Sequence, residues 1–234
     1  MRIDKFLADN LCISREQAKE MIKRREVFRG GVSVRLFDEK INEGDIIRVG
    51  EREIVFQKNI YILLNKPAGL LCENRKTPEG TVFSCIPETL MRKNLSTAGR
   101  LDKDTEGLLI ITDDGDFIHR IISPKNHVPK EYFARLAKPA EKTYESALAA
   151  GITIDGGEVC KPAEIRFTDK NDEVFLAVYE GKFHQVKRMF AALGNEVIFL
   201  RRTKCGELAL PEKLPVGCAI VMTPTDCAKC SKAD

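Results

Sequence analysis

Carboxylate side chains form the densest group of residues in this sequence that could carry out chemistry. Residues 99–107 contain three acids, Asp102, Asp104 and Glu106, directly before an apolar run at residues 108–111. Acids beside glycines, next to a core strand, lie where loops place functional groups. Cation binding and acid–base chemistry would both use such carboxylates. The residue types alone do not choose among these acids.

Turn and cap chemistry explains part of the same acidic region. Asp113-Asp114-Gly115 fits a turn and the N-cap of a following helix, because short acidic side chains accept hydrogen bonds from free N–H groups. Residues 104–107 would fit a local turn in the same way. Both structural explanations therefore stand beside the functional one.

A basic cluster follows at residues 181–189, with His184, Lys187 and Arg188 as its cations. His184 and Arg188 are four residues apart, a spacing that predicts one shared helix face. Such cations could contact phosphates or a catalytic carboxylate. An amphipathic helix with a basic exposed side would give the same spacing.

Several enzyme classes have no motif here. The sequence contains three histidines and no G-x-S-x-G, P-loop or G-x-G-x-x-G pattern, which argues against serine hydrolysis, nucleotide hydrolysis and hydride transfer. A magnesium-dependent phosphotransferase built on the acids is disfavoured because no phosphate loop is present. Of the eight cysteines, only Cys227 and Cys230 have C-x-x-C spacing, and a zinc site normally needs further ligands. We therefore predict no metal site.

The composition is that of a soluble globular protein, with 234 residues, of which 43% are hydrophobic and 31% charged. No apolar run is long enough for a membrane helix, and the N-terminus lacks a signal-peptide pattern, so we predict a cytoplasmic protein. The net charge is only +3. However, residues 1–35 hold nine basic and five acidic residues, and residues 181–204 hold six and one. These two segments suit phosphate binding, although solvated faces would explain either one alone.

The elements that must position these residues begin with a small N-terminal unit. Ile3, Phe6 and Leu7 recur at helical spacing, and Ser14 with Gln17 fits a capping box that opens a second helix. Short strands follow. We predict an α+β domain at residues 1–58, with a charged linker at residues 51–59.

From residue 59 onward, apolar runs alternate between strand and helix patterns. The strands are predicted at residues 61–64, 108–111, 132–136 and 174–179, and the helices at residues 116–122 and 184–193. This predicts one larger domain at residues 59–226. The polar residues 227–234 are expected to form a flexible tail.

Four motifs, in order and in register, resemble those of the bacterial ribosomal RNA pseudouridine synthases. The first two are Gly99-Arg100-Leu101-Asp102-x-Asp104-Thr105-x-Gly107-Leu108 and Glu180-Gly181-Lys182-x-His184-Gln185-Val186-Lys187-Arg188-Met189. The others are Asn65-Lys66-Pro67-x-Gly69 and Lys130-x-Tyr132. The N-terminal unit resembles the RNA-binding domain of the ribosomal-protein S-four type. Order and spacing fit the small-subunit synthase A family best.

The resemblance implies an α+β protein: a small RNA-binding domain, then a larger catalytic domain with a mixed, mainly antiparallel sheet flanked by helices. It implies isomerisation of one uridine in small-subunit (16S) rRNA, without a cofactor, by a monomer acting on ribosomal RNA or a pre-ribosomal particle. A sister enzyme for large-subunit (23S) rRNA and a non-catalytic ribosome-assembly factor remain the alternatives.

The resemblance also assigns expected roles to single residues. Asp102 would be the catalytic carboxylate, Tyr132 would stack on the target base, and Lys187 would pair with Asp102. Leu200 would pack in the uracil pocket. The remaining expected RNA contacts are Arg100, His184, Gln185, Arg188, Lys66, Arg15, Lys19, Lys23 and Arg24.

Overall fold

The computed structural model describes residues 1–73 and 80–231. Its first unit consists of Met1–Ile60 and Pro87–Ser96, and its second of Tyr61–Ile86 and Thr97–Asp234. The apolar pattern placed a boundary near residue 58. It did not indicate that Pro87–Ser96 would return to the first unit, because that segment joins it through contacts that are distant in sequence.

The first unit contains two helices followed by four short antiparallel strands. In chain order these are α1 (Ile3–Asn10), α2 (Arg15–Lys23), β1 (Val27–Arg29), β2 (Val32–Ser33), β3 (Ile46–Val49) and β4 (Arg52–Val55), with strand order β2-β1-β3-β4. The predicted capping box is confirmed: Ser14 Oγ accepts from the Gln17 N–H at 3.1 Å, and Gln17 Oε1 accepts from the Ser14 N–H at 2.8 Å. The apolar residues that predicted α1 line the core of this unit.

The predicted linker at residues 51–59 is wrong over most of its length. Strand β4 pairs with β3 in an antiparallel hairpin, with Val49 opposite Arg52. Phe56 is buried, and its ring packs edge-to-face against Phe6 at 5.4 Å between centroids. Of the charged residues that suggested a linker, Arg52 and Glu53 lie in β4 on opposite faces, and Glu53 is exposed while Arg52 is half-buried.

The second unit is built on a nine-stranded mixed sheet with the order β11-β12-β8-β13-β7-β5-β15. Strand β14 pairs with β13 and β6 pairs with β7, which completes the nine strands, while β9 and β10 form a separate two-stranded sheet. Neighbours along the main order are antiparallel except for β7 and β13, which are parallel. The strand bounds are β5 (Tyr61–Lys66), β6 (Ser96–Thr97), β7 (Glu106–Thr112), β8 (Lys130–Leu136), β9 (Thr153–Ile154), β10 (Glu158–Val159), β11 (Glu164–Phe167), β12 (Glu173–Val178), β13 (Val197–Cys205), β14 (Leu208–Ala209) and β15 (Ala219–Val221).

The described residues of the second unit form four α-helices: α3 (Gly115–Ile122), α4 (Thr143–Ala149), α5 (Gln185–Ala192) and α6 (Pro224–Ser231). Short 3-10 helices occur at Val82–Cys85, Glu88–Leu90, Pro124–Asn126 and Asp155–Gly157. The predicted inward residues Val186, Met189 and Phe190 of α5 are buried against the sheet, in a core shared with α4. A second core lies under α3 and α6. The α+β fold class, with a mixed and mainly antiparallel sheet, is therefore confirmed.

The parallel pairing of β7 with β13 depends on a glycine. Gly107 lies opposite Arg202 and has a φ of +102°. A Cβ atom at this position would come within 2.3 Å of the Arg202 carbonyl oxygen. The two strands can therefore approach only because Gly107 has no side chain and tolerates positive φ.

The predicted flexible tail at residues 227–234 is wrong for its first part. Helix α6 runs through Ser231, and the Cys230 side chain is buried in the core beside Cys205 and Leu208. Cysteine is small and apolar enough to be buried in such a core. The last three residues of the predicted tail, 232–234, lie outside the described part. Within the described part, no helix is both long and apolar enough to cross a membrane.

Candidate active site

A cleft of about 980 Å³ in the second unit brings together segments that are far apart in sequence. Its walls come from the loop before β7, from β8 and β13, and from the start of α5. Six of the predicted site residues line it: Arg100, Asp102, Tyr132, His184, Gln185 and Leu200. Lys187 lies beside it, 3.7 Å from Asp102. A cleft of this size can hold a nucleotide.

The Asp102 carboxylate lies in this cleft with two nitrogen groups beside it. His184 Nε2 is 3.6 Å from Oδ1, and Lys187 Nζ is 3.7 Å from Oδ2. The Asp102 side chain keeps 26% of its surface exposed, so it is accessible from the cleft. Both contacts exceed ordinary hydrogen-bond length, which leaves the carboxylate oxygens available to a ligand.

Lys187 makes its short contacts with a different acid. Its amine donates to both carboxylate oxygens of Asp104, at 2.6 and 2.7 Å. This hydrogen bond lowers the pKa of Asp104, despite an opposing effect of burial. Lys187 forms the predicted ion pair with Asp102, at 3.7 Å, and its amine is in addition hydrogen-bonded to Asp104, which the prediction did not include. Asp104 lies two residues from Asp102 on one tight turn, and this is why the amine reaches both.

The backbone turn that contains Asp102 is stabilised by a buried ammonium group, that of Lys66. Lys66 is fully buried, and its Nζ donates to the carbonyl oxygens of Pro67, Lys103 and Thr105 at 2.9–3.1 Å. Burial lowers the pKa of Lys66. Lys66 was predicted to contact RNA, and that prediction is wrong, because its amine is enclosed by backbone carbonyls.

Polar contacts also fix the segment that leads into α5. The Lys182 N–H donates to Gln185 Oε1 at 2.9 Å, and Gln185 Nε2 donates to Glu180 at 3.2 Å. His184 adopts a left-handed conformation, with a φ of +48°, immediately before the helix. Gln185 was predicted to contact RNA, but its buried amide is used within the protein and orders this turn.

Arg188 and His184 point in different directions, although the i, i+4 spacing predicted a shared face. The Arg188 guanidinium forms ion pairs with Asp155 and, at 2.8 Å, with Glu158, and it donates to the Phe183 carbonyl oxygen at 3.0 Å. The separation arises because His184 precedes the helix in a non-helical conformation. In this structure the donors of Arg188 are occupied by these carboxylates and by the Phe183 carbonyl oxygen, and its contact with RNA stays a prediction.

Tyr132 and Leu200 line the cleft from the adjacent strands β8 and β13. These positions are compatible with the predicted stacking of Tyr132 on the base and packing of Leu200 against the uracil. Lys130 and Arg202 line the cleft too, and the site prediction omitted both. Arg202 pairs in register with Tyr132, and its Nε donates to the Leu108 carbonyl oxygen at 2.7 Å. Lys130 donates to the Ile121 carbonyl oxygen, and burial lowers its pKa. Lys130 belongs to one of the four motifs and Arg202 to a basic segment, and this could have marked both as candidates. Which side chains face the cleft, however, is decided by strand register.

Comparison with known proteins matches this arrangement to one family. A family model described as RNA pseudouridylate synthase matches residues 60–192, which is more than half of the chain and contains the whole Asp102 turn and the start of α5. The chain belongs to this family. An S4 domain model matches residues 1–47 of the synthase. The reaction class implied by the four motifs and the domain type implied by the N-terminal unit are thereby confirmed.

Individual relatives align with nearly the whole synthase. Ribosomal small subunit pseudouridine synthase A of Haemophilus influenzae is 42% identical over 93% of this chain and 94% of its own length. The enzyme of the same name from Vibrio cholerae is 40% identical with the same coverage. A crystal structure of a pseudouridylate synthase superimposes with a TM-score of 0.69 at 39% identity, covering 98% of this chain and 99% of that one.

The predicted RNA contacts in the S4 domain of the synthase lie on or beside α2. Lys19 and Lys23 pair with Glu16 and Glu20 one turn away, and Arg15 pairs with Asp4 at 2.8 Å. Arg24 is exposed at the end of the helix. The two lysine pairs lie at the surface, where screening by water makes them weak enough to be exchanged for phosphate contacts, whereas Arg15 pairs with the buried Asp4. Within the described residues of the synthase, no group of three metal-ligating side chains is placed to hold a metal.

Proposed function

We propose that the chain converts one uridine of small-subunit ribosomal RNA into pseudouridine, with Asp102 as the catalytic carboxylate. The observation that carries the proposal is the Asp102 carboxylate itself, accessible in a nucleotide-sized cleft and flanked by His184 and Lys187 at 3.6 and 3.7 Å. The names of the relatives from Haemophilus influenzae and Vibrio cholerae support the small subunit as the source of the substrate.

The reaction breaks the bond between C1′ and N1, turns the uracil, and joins C1′ to C5. No atom is gained or lost and no redox change occurs, so the proposal requires no cofactor. An ionised carboxylate is needed, either to attack the ribose or to remove a proton from it. A free aspartate has a pKa near 3.9 and is ionised at neutral pH. The Asp102 side chain is partly exposed to the cleft, where a ribose can reach it.

The cations near Asp102 have distinct proposed roles. Lys187, held by Asp104, contributes positive charge beside the reacting carboxylate without blocking it. His184 approaches from the other carboxylate oxygen, where it can orient the group. Lys66 acts indirectly, because its hydrogen bonds fix the backbone carbonyl groups of the turn on which Asp102 lies. Preorganised charge of this kind avoids reorganisation during the reaction.

The target base must leave its stack before it can turn, which costs a few kcal/mol. Tyr132 and Leu200 line the cleft and offer an aromatic face and an apolar wall to the uracil. Stacking on an aromatic side chain recovers about 1–3 kcal/mol per base. The S4 domain would add phosphate contacts through the basic end of α2, which provide affinity without reading sequence.

The test is to map pseudouridines in ribosomal RNA from cells with and without the gene, and then to assay purified Asp102→Asn. We expect one small-subunit uridine to lose its modification without the gene. Asp102→Asn should bind in vitro transcribed small-subunit RNA with near-normal affinity and show no turnover. Asp169→Asn, at an exposed turn, is the matched control and should keep full activity.

Three outcomes would contradict the proposal or a part of it. Loss of modification at a large-subunit uridine alone would contradict the proposed small-subunit substrate, while the proposed reaction would still hold. Retained turnover by Asp102→Asn would move the catalytic role to another residue. An unchanged modification map, with RNA binding intact, would instead favour a ribosome-assembly role.

A further inference from the structure

Phe183 is an exposed aromatic residue on the wall of the active-site cleft. It is 68% exposed, more than the exposed apolar residue Ile198 of β13, which is 58% exposed and does not line the cleft. Single exposed apolar residues are common and need no special explanation. The exposure of Phe183 becomes informative because of the contacts that order its ring and backbone.

One face of the Phe183 ring is covered by the imidazole of His184. The two rings stack with centroids 3.8 Å apart and planes at 20°. His184 in turn lies 3.6 Å from Asp102, so a short column of groups leads from the carboxylate to Phe183. Within residues 1–73 and 80–231, the high exposure of Phe183 leaves its opposite face open.

Hydrogen bonds within the protein fix the backbone at Phe183. Arg188 Nη1 donates to its carbonyl oxygen at 3.0 Å, and the same guanidinium is held by Asp155 and Glu158. The preceding residue, Lys182, donates its N–H to Gln185. A preordered aromatic ring loses little conformational freedom on binding, so more of its stacking energy appears as affinity.

We propose that Phe183 stacks on an unpaired base next to the target uridine, and so positions the RNA at the mouth of the cleft. This inference rests on the proposed function. Removing the uridine from its stack leaves the neighbouring base without one of its partners, and the open face of Phe183 can replace it. Arg100, Lys103 and Lys182 also line the cleft, and aromatic faces beside cations are typical of sites for single-stranded RNA.

The first experiment measures single-turnover pseudouridine formation on in vitro transcribed small-subunit RNA. Phe183→Ala should raise the half-saturating enzyme concentration about 5- to 150-fold, which corresponds to about 1–3 kcal/mol, and should change the saturating rate little. Phe183→Tyr should behave like the wild type, because it keeps the ring. Phe183→Leu should resemble Phe183→Ala, because it keeps apolar area without a π face. Ile198→Ala is the exposed control and should have no effect.

A purely structural role for Phe183 would give a different pattern. If the ring only holds His184 in place, Phe183→Ala would lower the saturating rate and leave half-saturation unchanged. Adding Phe183→Ala to His184→Ala would then cause no further loss. Either that pattern or wild-type behaviour of all three Phe183 variants would overturn the proposal.

The second experiment needs no turnover and separates this inference from the proposed function. The probe is a short single-stranded RNA with 2-aminopurine beside a uridine, bound to the full-length protein. We expect quenching of 2-aminopurine fluorescence by wild type and Phe183→Tyr, and its loss in Phe183→Leu. Equal quenching by all three proteins would overturn stacking by Phe183, whatever the activity assay shows for the uridine substrate.

Discussion

Lys187 donates hydrogen bonds to both carboxylate oxygens of Asp104 while its amine stays 3.7 Å from Asp102. Two neighbouring acids thus share one cation, and the short contacts go to the acid that is not proposed to react. This division has separate consequences for catalysis and for stability.

For catalysis, Lys187→Met should lower the saturating rate of pseudouridine formation by about 10- to 100-fold, because charge beside the reacting carboxylate is lost. RNA binding should weaken far less. Single-turnover kinetics measure both quantities, and Lys204→Met, an exposed-side change on β13, is the control. A loss confined to RNA affinity would show that Lys187 binds phosphate instead.

For stability, the lowered pKa of Asp104 gives a definite dependence on pH. A carboxyl whose pKa is lower when folded stabilises the protein above its unfolded pKa, near 3.9, and loses this contribution as the pH falls through its folded pKa. Asp104→Asn should therefore lower the free energy of unfolding at neutral pH by less than about 1 kcal/mol, since the pair is largely exposed. Urea unfolding should show no difference between the proteins below the folded pKa. A constant difference at all pH values would contradict this, and Glu212→Gln provides an exposed control.

Lys66→Met should destabilise the protein by about 1–3 kcal/mol, because it leaves carbonyl groups under the Asp102 turn without their donor. The saturating rate should fall while RNA affinity is largely kept. Urea unfolding and filter binding measure the two effects. Reduced RNA affinity with unchanged stability would instead support the phosphate contact expected from the sequence.

Gly107→Ala should destabilise the second unit by about 2–4 kcal/mol, because its Cβ would meet the Arg202 carbonyl oxygen. Gly194→Ala is the matched control: it has a φ of +76° but no atom within 4 Å, so it tests backbone strain alone. That strain costs about 1–2 kcal/mol. Thermal unfolding distinguishes them, and equal effects would mean that the strand approach adapts to a methyl group.

Arg188→Ala should lower the melting temperature and leave the salt dependence of RNA binding unchanged, because its donors are occupied by Asp155 and Glu158. Arg24→Ala should leave the melting temperature unchanged and reduce the salt dependence of RNA binding. Loss of one phosphate contact should reduce the slope of log affinity against log salt by about 0.7–0.9. A reduced slope for Arg188→Ala would restore the RNA contact predicted from its position in the motif.

The described part of the C-terminal segment offers a test through its thiols. Burial raises the pKa of Cys230 and of Cys205, which share one core. Under native conditions a thiol reagent should label the exposed Cys12 and Cys218 and leave Cys205 and Cys230 unmodified until the protein unfolds. Peptide mass spectrometry resolves each site, and rapid labelling of Cys230 would support a flexible tail after all.

The sequence by itself determined several of the elements and the reaction class. Local rules suffice for the Ser14–Gln17 capping box, for the apolar run of β7 and for the buried face of α5, since each depends on neighbours within a few residues. The four motifs were enough to identify the chemistry, because their residue types and spacing are specific to it.

Only the tertiary structure decided how the polar residues share their partners. The division of Lys187 between Asp102 and Asp104, and the protein partners of Lys66 and Arg188, depend on contacts between segments up to 83 residues apart. A hydrogen bond is decided by differences of about an ångström in such contacts, and residue types in a linear motif do not encode them. Tertiary packing likewise decided the burial of Phe56 and Cys230. Each is a single apolar residue in a charged or polar segment, so the local sequence gives no pattern from which its burial can be predicted.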